Sequence, residues 1–210
     1  FGCISSDAAV QVLQGLAKLE YRGYDSAGLA AIFDNHQGPI ETERTTGYVS
    51  DLVSKVNGRF KGSKLAIGHT RWATHGGVTL INAHPHSSHD GLISVVHNGI
   101  IENASELLSQ IISDGYNLNS ETDTEVIVHL LHREIGENRE PDEILNSFER
   151  VMSKLQGGMA VAAVVSGLNG ILVARSGAPI VLGRCTECVS VSSDPLPLYG
   201  TCSEVCYLED

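Results

Sequence analysis

The chain has 210 residues, enough for one substantial hydrophobic core, and carries 14 lysines and arginines against 25 aspartates and glutamates, for a net charge of −11. The basic residues are scattered singly, so the composition disfavours nucleic acid and anionic membranes as partners. The longest apolar run is too short to span a bilayer, and the first residues lack a signal-peptide pattern, so we expect a soluble cytoplasmic protein.

The order of predicted elements indicates two sheets covered by helices. Apolar residues three and four apart predict helices over 7–18, 49–57, 102–115, 123–135 and 141–156. Continuous or alternating apolar runs predict strands over 29–33, 40–46, 65–73, 92–97, 159–166, 170–177, 179–183 and 188–193, and the last residues also look like a strand. Strands, then helices, then strands again suggest two sheets with helices on their outer faces.

The densest polar block is GHTRWATHGG at 68–77, at the end of a predicted apolar strand. Arg71 offers a planar guanidinium fork that can hold a carboxylate with two parallel hydrogen bonds. It is accompanied by the only tryptophan, Trp72, and by Thr74 and His75. These residues alone leave two interpretations open: a ligand site at a strand end, or a surface arginine beside a packing tryptophan.

Asn98 and Gly99 follow a predicted strand in the segment HNGIIEN. An Asn-Gly pair is typical of a tight turn. An amide side chain beside a glycine N–H can also form a two-donor oxyanion site, and glycine permits the positive φ that such a site can require. Taken alone, the pattern favours the turn.

Asp123 lies in SETDTEV, at the head of an apolar helix. Thr122 and Glu125 have the spacing of a capping box, which would put Asp123 in the first helical turn, where the helix dipole stabilises its ionised form. Two roles for this carboxylate are open: it only stabilises the start of the helix, or it pairs with the ammonium group of a substrate. Together with an arginine fork, it would hold both charged ends of a free α-amino acid.

Two groups of residues raise the question of a metal site. Six histidines fall within 69–97, but they match none of the recognised helical zinc spacings, so we expect no catalytic metal. Near the end of the chain four cysteines have a spacing close to that of structural zinc sites, although they also fit two strands: Cys185, Cys188, Cys202 and Cys206. Because the chain has five cysteines, an odd number, we expect free thiols rather than a disulfide framework and leave zinc binding open.

Five blocks match one family together and in order: LEYRGYDSAG, GHTRWATHG, NAHPH, HNGIIEN and SETDTEV. They resemble the glutaminase domain of the isomerising glutamine:fructose-6-phosphate amidotransferases, the enzymes that make glucosamine 6-phosphate. This domain is a glutamine amidotransferase domain of type 2. The resemblance covers essentially all of 1–210. Glutamine phosphoribosylpyrophosphate amidotransferases are similar, but HRGQD-like and RYPT-like blocks are expected there. The resemblance implies an α+β fold, the four-layer αββα N-terminal-nucleophile hydrolase fold, in agreement with the predicted element order.

The resemblance also implies which residues hold the substrate. Arg71 would bind the α-carboxylate of glutamine, and Asp123 would bind its α-ammonium group. Thr74 and His75 would complete the pocket. Trp72 would help to close the site and to guide ammonia onward.

For catalysis, the resemblance implies that Asn98 and Gly99 form the oxyanion hole and that Arg22 lies near the nucleophile. In this family a cysteine thiolate, with its own terminal amine as base, attacks the side-chain carbonyl of glutamine; ammonia leaves, and water hydrolyses the thioester without a cofactor. The family's nucleophile opens a CGI-φ-G sequence, where φ is apolar. Phe1-Gly2 matches the end of that sequence, so Cys3 is the wrong cysteine and we expect Cys-Gly-Ile ahead of Phe1.

We therefore expect a domain that hydrolyses L-glutamine to glutamate and ammonia, and that is inactive without the preceding cysteine. In the full enzyme, expected to be a homodimer, isomerase domains absent from 1–210 would pass the ammonia to fructose 6-phosphate. Three alternatives stay open: the glutaminase domain of another class II amidotransferase, a glutamine-binding domain without a nucleophile, and a zinc-binding domain.

Overall fold

The computed structural model describes residues 1–34, 38–73 and 76–209. This part of the chain contains five α-helices: α1 Ala8–Leu19, α2 Val49–Val56, α3 Ala104–Ser113, α4 Thr124–Ile135 and α5 Pro141–Met152. It also contains eleven strands: β1 Gly2–Ile4, β2 Ser26–Ile32, β3 Glu41–Thr46, β4 Leu65–Arg71, β5 His86–Ser87, β6 Ile93–Gly99, β7 Met159–Val165, β8 Leu172–Ser176, β9 Val181–Cys185, β10 Val189–Ser192 and β11 Cys202–Tyr207. The predicted helices and strands are confirmed, with ends displaced by a few residues. The hydrophobic pattern missed β1 and β5, which are too short to show a period.

The strands form two antiparallel sheets, and helices cover the outer face of each. The larger sheet has the order β11-β9-β10-β1-β4-β2-β3, and the smaller has the order β5-β6-β7-β8. Helices α1 and α2 pack on the larger sheet, whereas α3, α4 and α5 pack on the smaller one. The layers therefore run α, β, β, α, which confirms the four-layer architecture. No helix in the described part of the chain is long and apolar enough to cross a membrane.

Buried apolar side chains fill the three spaces between these layers. Val12 and Leu16 of α1 pack with Leu29 of the larger sheet, and a second cluster joins the smaller sheet to its three helices. Between the sheets, Ile67 of β4 packs in one cluster with Val96 of β6. All seven residues of β2 are buried because helices cover one of its faces and the smaller sheet covers the other.

Asn98 and Gly99 do not form the tight turn that the pair favours in isolation. They are the last two residues of β6, where Asn98 pairs with Ala160 and Gly99 with Met159 of β7. Both residues therefore extend an internal strand of the smaller sheet. The turn prediction is wrong because pairing with β7 continues through the dipeptide.

The capping box predicted at the head of α4 is also absent. Helix α4 begins at Thr124, so Asp123 is its N-cap residue and lies just before the first turn. The side chain of Thr122 instead bonds His86, with 2.9 Å between Oγ1 and Nε2. The Glu125 carboxylate turns towards the preceding loop, where it accepts the backbone N–H groups of Asn119 and Ser120. Thr122 and Glu125 have the spacing of a capping box, but their side chains bond His86 and the preceding loop instead of the start of α4.

The late cysteines form a disulfide rather than a group of four free thiols. Cys185 of β9 and Cys202 of β11 are paired across the two strands with their Cα atoms 4.0 Å apart, and their sulfur atoms are bonded. Cys188 is half-buried and Cys206 is exposed, and both are free. The expectation of free thiols is therefore wrong for two of the four. Within the described ranges, no three or more His, Cys, Asp or Glu residues are arranged to hold a metal ion.

Candidate active site

A polar pocket of about 310 Å³ opens where β4 and β6 end and α4 begins. These ends meet because β4 and β6 belong to the two facing sheets and α4 packs directly over β6. Six of the residues predicted for the site line this pocket: Arg22, Arg71, Trp72, Asn98, Gly99 and Asp123. The structure thus brings together side chains that are up to 101 positions apart in the chain. Thr74 and His75, the other two predicted residues, lie outside the described residues.

Arg71 is the last residue of β4, and its side chain is held inside the pocket wall. Only 6% of the residue is exposed. Its Nη1 donates a hydrogen bond to the carbonyl oxygen of Gly77 at 3.2 Å. Burial lowers the pKa of Arg71, while the nearby carboxylates of Asp25 and Asp123 oppose that shift. A guanidinium in such a site is poorly hydrated, which strengthens its attraction for an anionic ligand.

Asp123 faces the same pocket from the start of α4. Its Oδ2 accepts the backbone N–H of Ile101 at 2.8 Å, and its Oδ1 lies 3.8 Å from Nδ1 of His97. The side chain remains 26% exposed, so part of the carboxylate faces the pocket opening. Because Ile101 anchors one of its oxygen atoms, the carboxylate has a defined position relative to β6.

Asn98 and Gly99 bring an amide side chain and an accessible backbone to the pocket at the end of β6. The φ angle of Gly99 is 138°, a conformation that favours glycine. A Cβ added to Gly99 would lie 2.1 Å from the carbonyl oxygen of Gly158, which no side chain could tolerate. The close approach of two backbones therefore requires glycine here.

Arg22 and Trp72 occupy the rim of the pocket. Arg22 donates to the carbonyl oxygen of Ser193 at 3.4 Å and lies 3.5 Å from a carboxylate oxygen of Asp194. Trp72 is 57% exposed, and its ring centroid is 5.5 Å from that of Tyr24. The indole of Trp72 is therefore more than half exposed and lies beside Tyr24.

Three histidines form the inner wall of the pocket, and the residue pattern did not reveal them as part of the site. His69 and His84 stack with ring centroids 4.4 Å apart, and Nδ1 of His97 lies 3.0 Å from Oγ1 of Thr124. Burial lowers the pKa of all three histidines, so their imidazoles are neutral at pH 7. Only their density in 69–97 could have drawn attention to them.

Cys3 lies away from the pocket, in the core between the larger sheet and α1. It is fully buried, and Ser190 donates a hydrogen bond to its sulfur at 3.5 Å. Burial raises the pKa of the Cys3 thiol, which opposes formation of a thiolate. Its expected place as a small residue in a buried strand is confirmed.

Comparison with known proteins agrees with this architecture. The family model of the glutamine amidotransferase domain matches residues 73–195, which is more than half of the chain. The solved structure of the glutamine phosphoribosylpyrophosphate amidotransferase from B. subtilis, complexed with ADP and GMP, has a TM-score of 0.79 and 26% identity, covering 99% of this chain and 44% of that one. The chain therefore belongs to the glutamine amidotransferase domain family, in its class II branch with the N-terminal-nucleophile fold.

Within that family, one kind of enzyme matches this chain along nearly its whole length. A glutamine–fructose-6-phosphate aminotransferase (isomerizing) from Idiomarina loihiensis is 43% identical over 201 residues, which are 95% of this chain and 32% of that protein. The enzyme of the same name from Acidithiobacillus ferridurans is 42% identical over 210 residues, covering all of this chain and 33% of that protein. The chain is thus homologous to the glutaminase half of these aminotransferases, and it spans about a third of the length of the curated relatives it matches.

Proposed function

We propose that this domain binds L-glutamine and releases its amide nitrogen as ammonia, as the glutaminase half of a glutamine–fructose-6-phosphate aminotransferase. One observation carries the proposal: Arg71, Asp123 and the Asn98–Gly99 pair, which come from three separate segments, line a single pocket. The pocket therefore offers a cation, an anion and two hydrogen-bond donors, which are the groups that a free α-amino acid with a reacting amide requires.

Arg71 and Asp123 are proposed to bind the charged ends of glutamine. The guanidinium group of Arg71 would pair with the α-carboxylate through charge-assisted hydrogen bonds, and the Asp123 carboxylate would pair with the α-ammonium group. Each partner is already fixed by a backbone group, Arg71 by the carbonyl of Gly77 and Asp123 by the N–H of Ile101. Fixed partners lower the entropic cost of orienting the substrate.

Asn98 and Gly99 are proposed to stabilise the charge that forms on the amide oxygen. When a thiolate attacks the carbonyl carbon, the C=O π electrons move onto oxygen, where an amide N–H₂ and a backbone N–H can donate to it. The C–N bond then breaks, the nitrogen leaves as ammonia after protonation, and water hydrolyses the thioester to glutamate. A preorganised pair of donors is worth several kcal/mol in such steps, by the order of magnitude seen in acyl-transfer enzymes.

The register of the larger sheet supports a nucleophile ahead of Phe1. In the antiparallel pair of β1 and β4, Gly2 lies opposite Ile67, and Phe1 exchanges two backbone hydrogen bonds with Gly68. Each step towards the amino terminus moves one residue along both strands. A residue three places ahead of Phe1, continued in the same register, would lie opposite Arg71. Three places ahead of Phe1 is also the sequence position that the family opening CGI-φ-G gives to its cysteine.

Thiol labelling in the full-length protein tests the identity of the nucleophile. Iodoacetamide should alkylate a cysteine three places ahead of Phe1, L-glutamine should protect it, and its substitution by alanine should abolish ammonia release. Cys3 should stay unlabelled in the folded protein because it is fully buried. A glutamine-protected label on Cys3 would instead make Cys3 the nucleophile.

Substitutions in the pocket test the binding roles. Arg71→Ala and Asp123→Asn should each raise the KM for L-glutamine at least tenfold, the change expected when a charge-assisted bond worth about 1.5 to 3 kcal/mol is lost. Glu149→Gln, an exposed position on α5, provides a control of similar chemistry and should leave KM unchanged. Unchanged KM values for both pocket variants would refute the proposed glutamine site.

The activity proposed for the whole protein is based on its relatives rather than on this domain. The two relatives above are named for a reaction on fructose 6-phosphate, and we propose the same acceptor for the remainder of this protein. Trp72, at the rim of the pocket, would close over glutamine and direct ammonia towards that remainder. The homodimer and the cytoplasmic location stay predictions. Ammonia release that is stimulated by fructose 6-phosphate in the full-length protein would support the acceptor, and glucosamine 6-phosphate as product would identify it.

A further inference from the structure

Asn82 is a fully buried polar residue that opens the NAHPH block, and the family resemblance gave it no role in the site. Its Nδ2 donates to the carbonyl oxygen of Gly77 at 3.0 Å and to Oε2 of Glu121 at 2.9 Å. Its Oδ1 accepts the backbone N–H of Glu121 at 2.9 Å. Both amide hydrogens and the amide oxygen are therefore used, and all of them bond two segments that are distant in sequence.

These two segments carry the residues that face the two ends of the substrate. The carbonyl of Gly77 that accepts from Asn82 also accepts from Nη1 of Arg71. Glu121 lies two residues before Asp123, and its Oε2 also accepts the N–H of Gly77, at 3.1 Å. Asn82 thus lies between the partner of Arg71 and the segment that leads into Asp123.

Close packing around Gly76 shows that this arrangement is tight. A Cβ added to Gly76 would lie 2.9 Å from Nδ2 of Asn82 and 3.1 Å from Cβ of Glu121. The φ angle of Gly76 is +73°, which also favours glycine. The hydrogen bonds from Asn82 and Gly77 lower the pKa of the Glu121 carboxyl, so it is an ionised acceptor at neutral pH.

We propose that Asn82 is a positioning residue that sets the place of the Arg71 guanidinium relative to Asp123, and thereby the specificity of the pocket for the α-carboxylate of glutamine. This inference rests on the proposed function, because it assumes that Arg71 binds that carboxylate. Asn82 acts through the carbonyl of Gly77 and does not line the pocket itself. Asp123 has its own anchor at Ile101, so the carboxylate end depends more on Asn82 than the ammonium end does.

Asn82→Asp is the sharpest perturbation because it keeps the size of the side chain. One carboxylate oxygen can still accept the N–H of Glu121. The other oxygen replaces Nδ2 and faces two acceptors, the carbonyl of Gly77 and the carboxylate of Glu121. Repulsion should push the Gly77 carbonyl away and move the guanidinium of Arg71 with it.

The test compares two substrates in the full-length protein by ammonia release. L-Glutamine carries both charged ends, whereas 4-aminobutanamide lacks the α-carboxylate and keeps the ammonium group and the amide. In Asn82→Asp, kcat/KM for L-glutamine should fall by at least about tenfold, mainly through KM, while kcat/KM for 4-aminobutanamide should change by less than about twofold. Arg71→Lys should reduce the same preference, because Arg71 is the group that acts on the carboxylate.

Two further variants separate positioning from loss of fold. Ser63→Ala removes another fully buried side-chain bond, to the N–H of Ala9 at the start of α1, and should lower the melting temperature while leaving the preference between the two substrates unchanged. Glu121→Gln combined with Asn82→Asp removes the facing charge and should recover part of the preference for L-glutamine. Equal losses for both substrates in Asn82→Asp would overturn the inference.

Failure of the inference and failure of the proposed function give different results. If Arg71→Lys reduces the preference and Asn82→Asp does not, the inference about Asn82 is wrong and the glutamine site stands. If neither variant changes the preference, both are wrong.

Discussion

Replacing Glu125 by glutamine should destabilise the protein by about 3 kcal/mol at neutral pH, a large effect for a change that keeps the size of the side chain. Glu125 is 3% exposed in α4, and its carboxylate accepts hydrogen bonds from the backbone of Asn119 and from both the backbone and the hydroxyl of Ser120. His129 lies one turn further along, with Nε2 3.4 Å from Oε1. A glutamine amide would turn an N–H₂ group towards these donors.

The magnitude follows from the pKa of the carboxyl. Burial by itself raises the pKa of Glu125, but the hydrogen bonds from His129 and Ser120 outweigh burial and lower the pKa from 4.5 to about 2. That difference corresponds to about 3 kcal/mol of stability in the ionised form. Because the pKa in the folded state lies below that of the unfolded chain, the stabilisation is complete above pH 4.5 and is lost as the pH falls towards 2. At pH 3.5 about 2 kcal/mol should remain.

Urea denaturation of residues 1–210, followed by circular dichroism at pH 7 and pH 3.5, measures this difference. Glu134→Gln is the matched control, since Glu134 pairs with Arg150 and Lys154 near the surface and its loss should cost less than about 1 kcal/mol. A penalty for Glu125→Gln that is below 1 kcal/mol at pH 7, or that does not shrink at pH 3.5, would refute the reasoning.

Three other substitutions can be tested in the full-length protein. Gly99→Ala places a Cβ 2.1 Å from the Gly158 carbonyl oxygen and should reduce ammonia release at least a hundredfold. The control Gly167→Ala, at a glycine that also has a positive φ but has open space around it, should retain activity. Equal activities of the two variants would exclude a special role for Gly99. Asn98→Ala should lower kcat by about 10² to 10³ with little change in KM, and a change in KM alone would indicate substrate binding instead. Cys3→Ala should leave kcat intact and lower the melting temperature, because it removes a buried side chain outside the pocket; loss of kcat in a stable variant would contradict this.

Some predictions from the residue pattern failed where a local signal met a longer-range contact. Thr122 and Glu125 have capping-box spacing, yet Thr122 bonds His86 and Glu125 bonds the loop before it. The same is true of Asn98-Gly99, whose local preference for a turn is overridden by seven residue pairs between β6 and β7. Each of these alternatives depends on a partner that lies beyond the window in which the motif is defined.

The pairing of the cysteines also depends on contacts between residues that are distant in the chain. The cysteine count favoured free thiols and the cysteine spacing left zinc binding open, and neither contains the register of β9 and β11. That register places Cys185 directly opposite Cys202, while Cys188 and Cys206 lie elsewhere. Asn82 is similar: it opens the NAHPH block, but its local sequence gives it no role, and the role proposed for it rests on its bonds to Gly77 and Glu121.

Sequence by itself determined the helices, the strands of four or more residues and the layered class of the fold, and the family resemblance implied six residues that line the pocket. These properties follow from hydrophobic period and from short blocks of chemically distinctive residues, which are local. Only the tertiary structure decided how Arg71, Asn98 and Asp123 are held around the pocket and which layer of the fold Cys3 faces. The physical reason is that strand register and layer packing are set by many weak contacts between residues distant in the chain, and no short segment contains their sum.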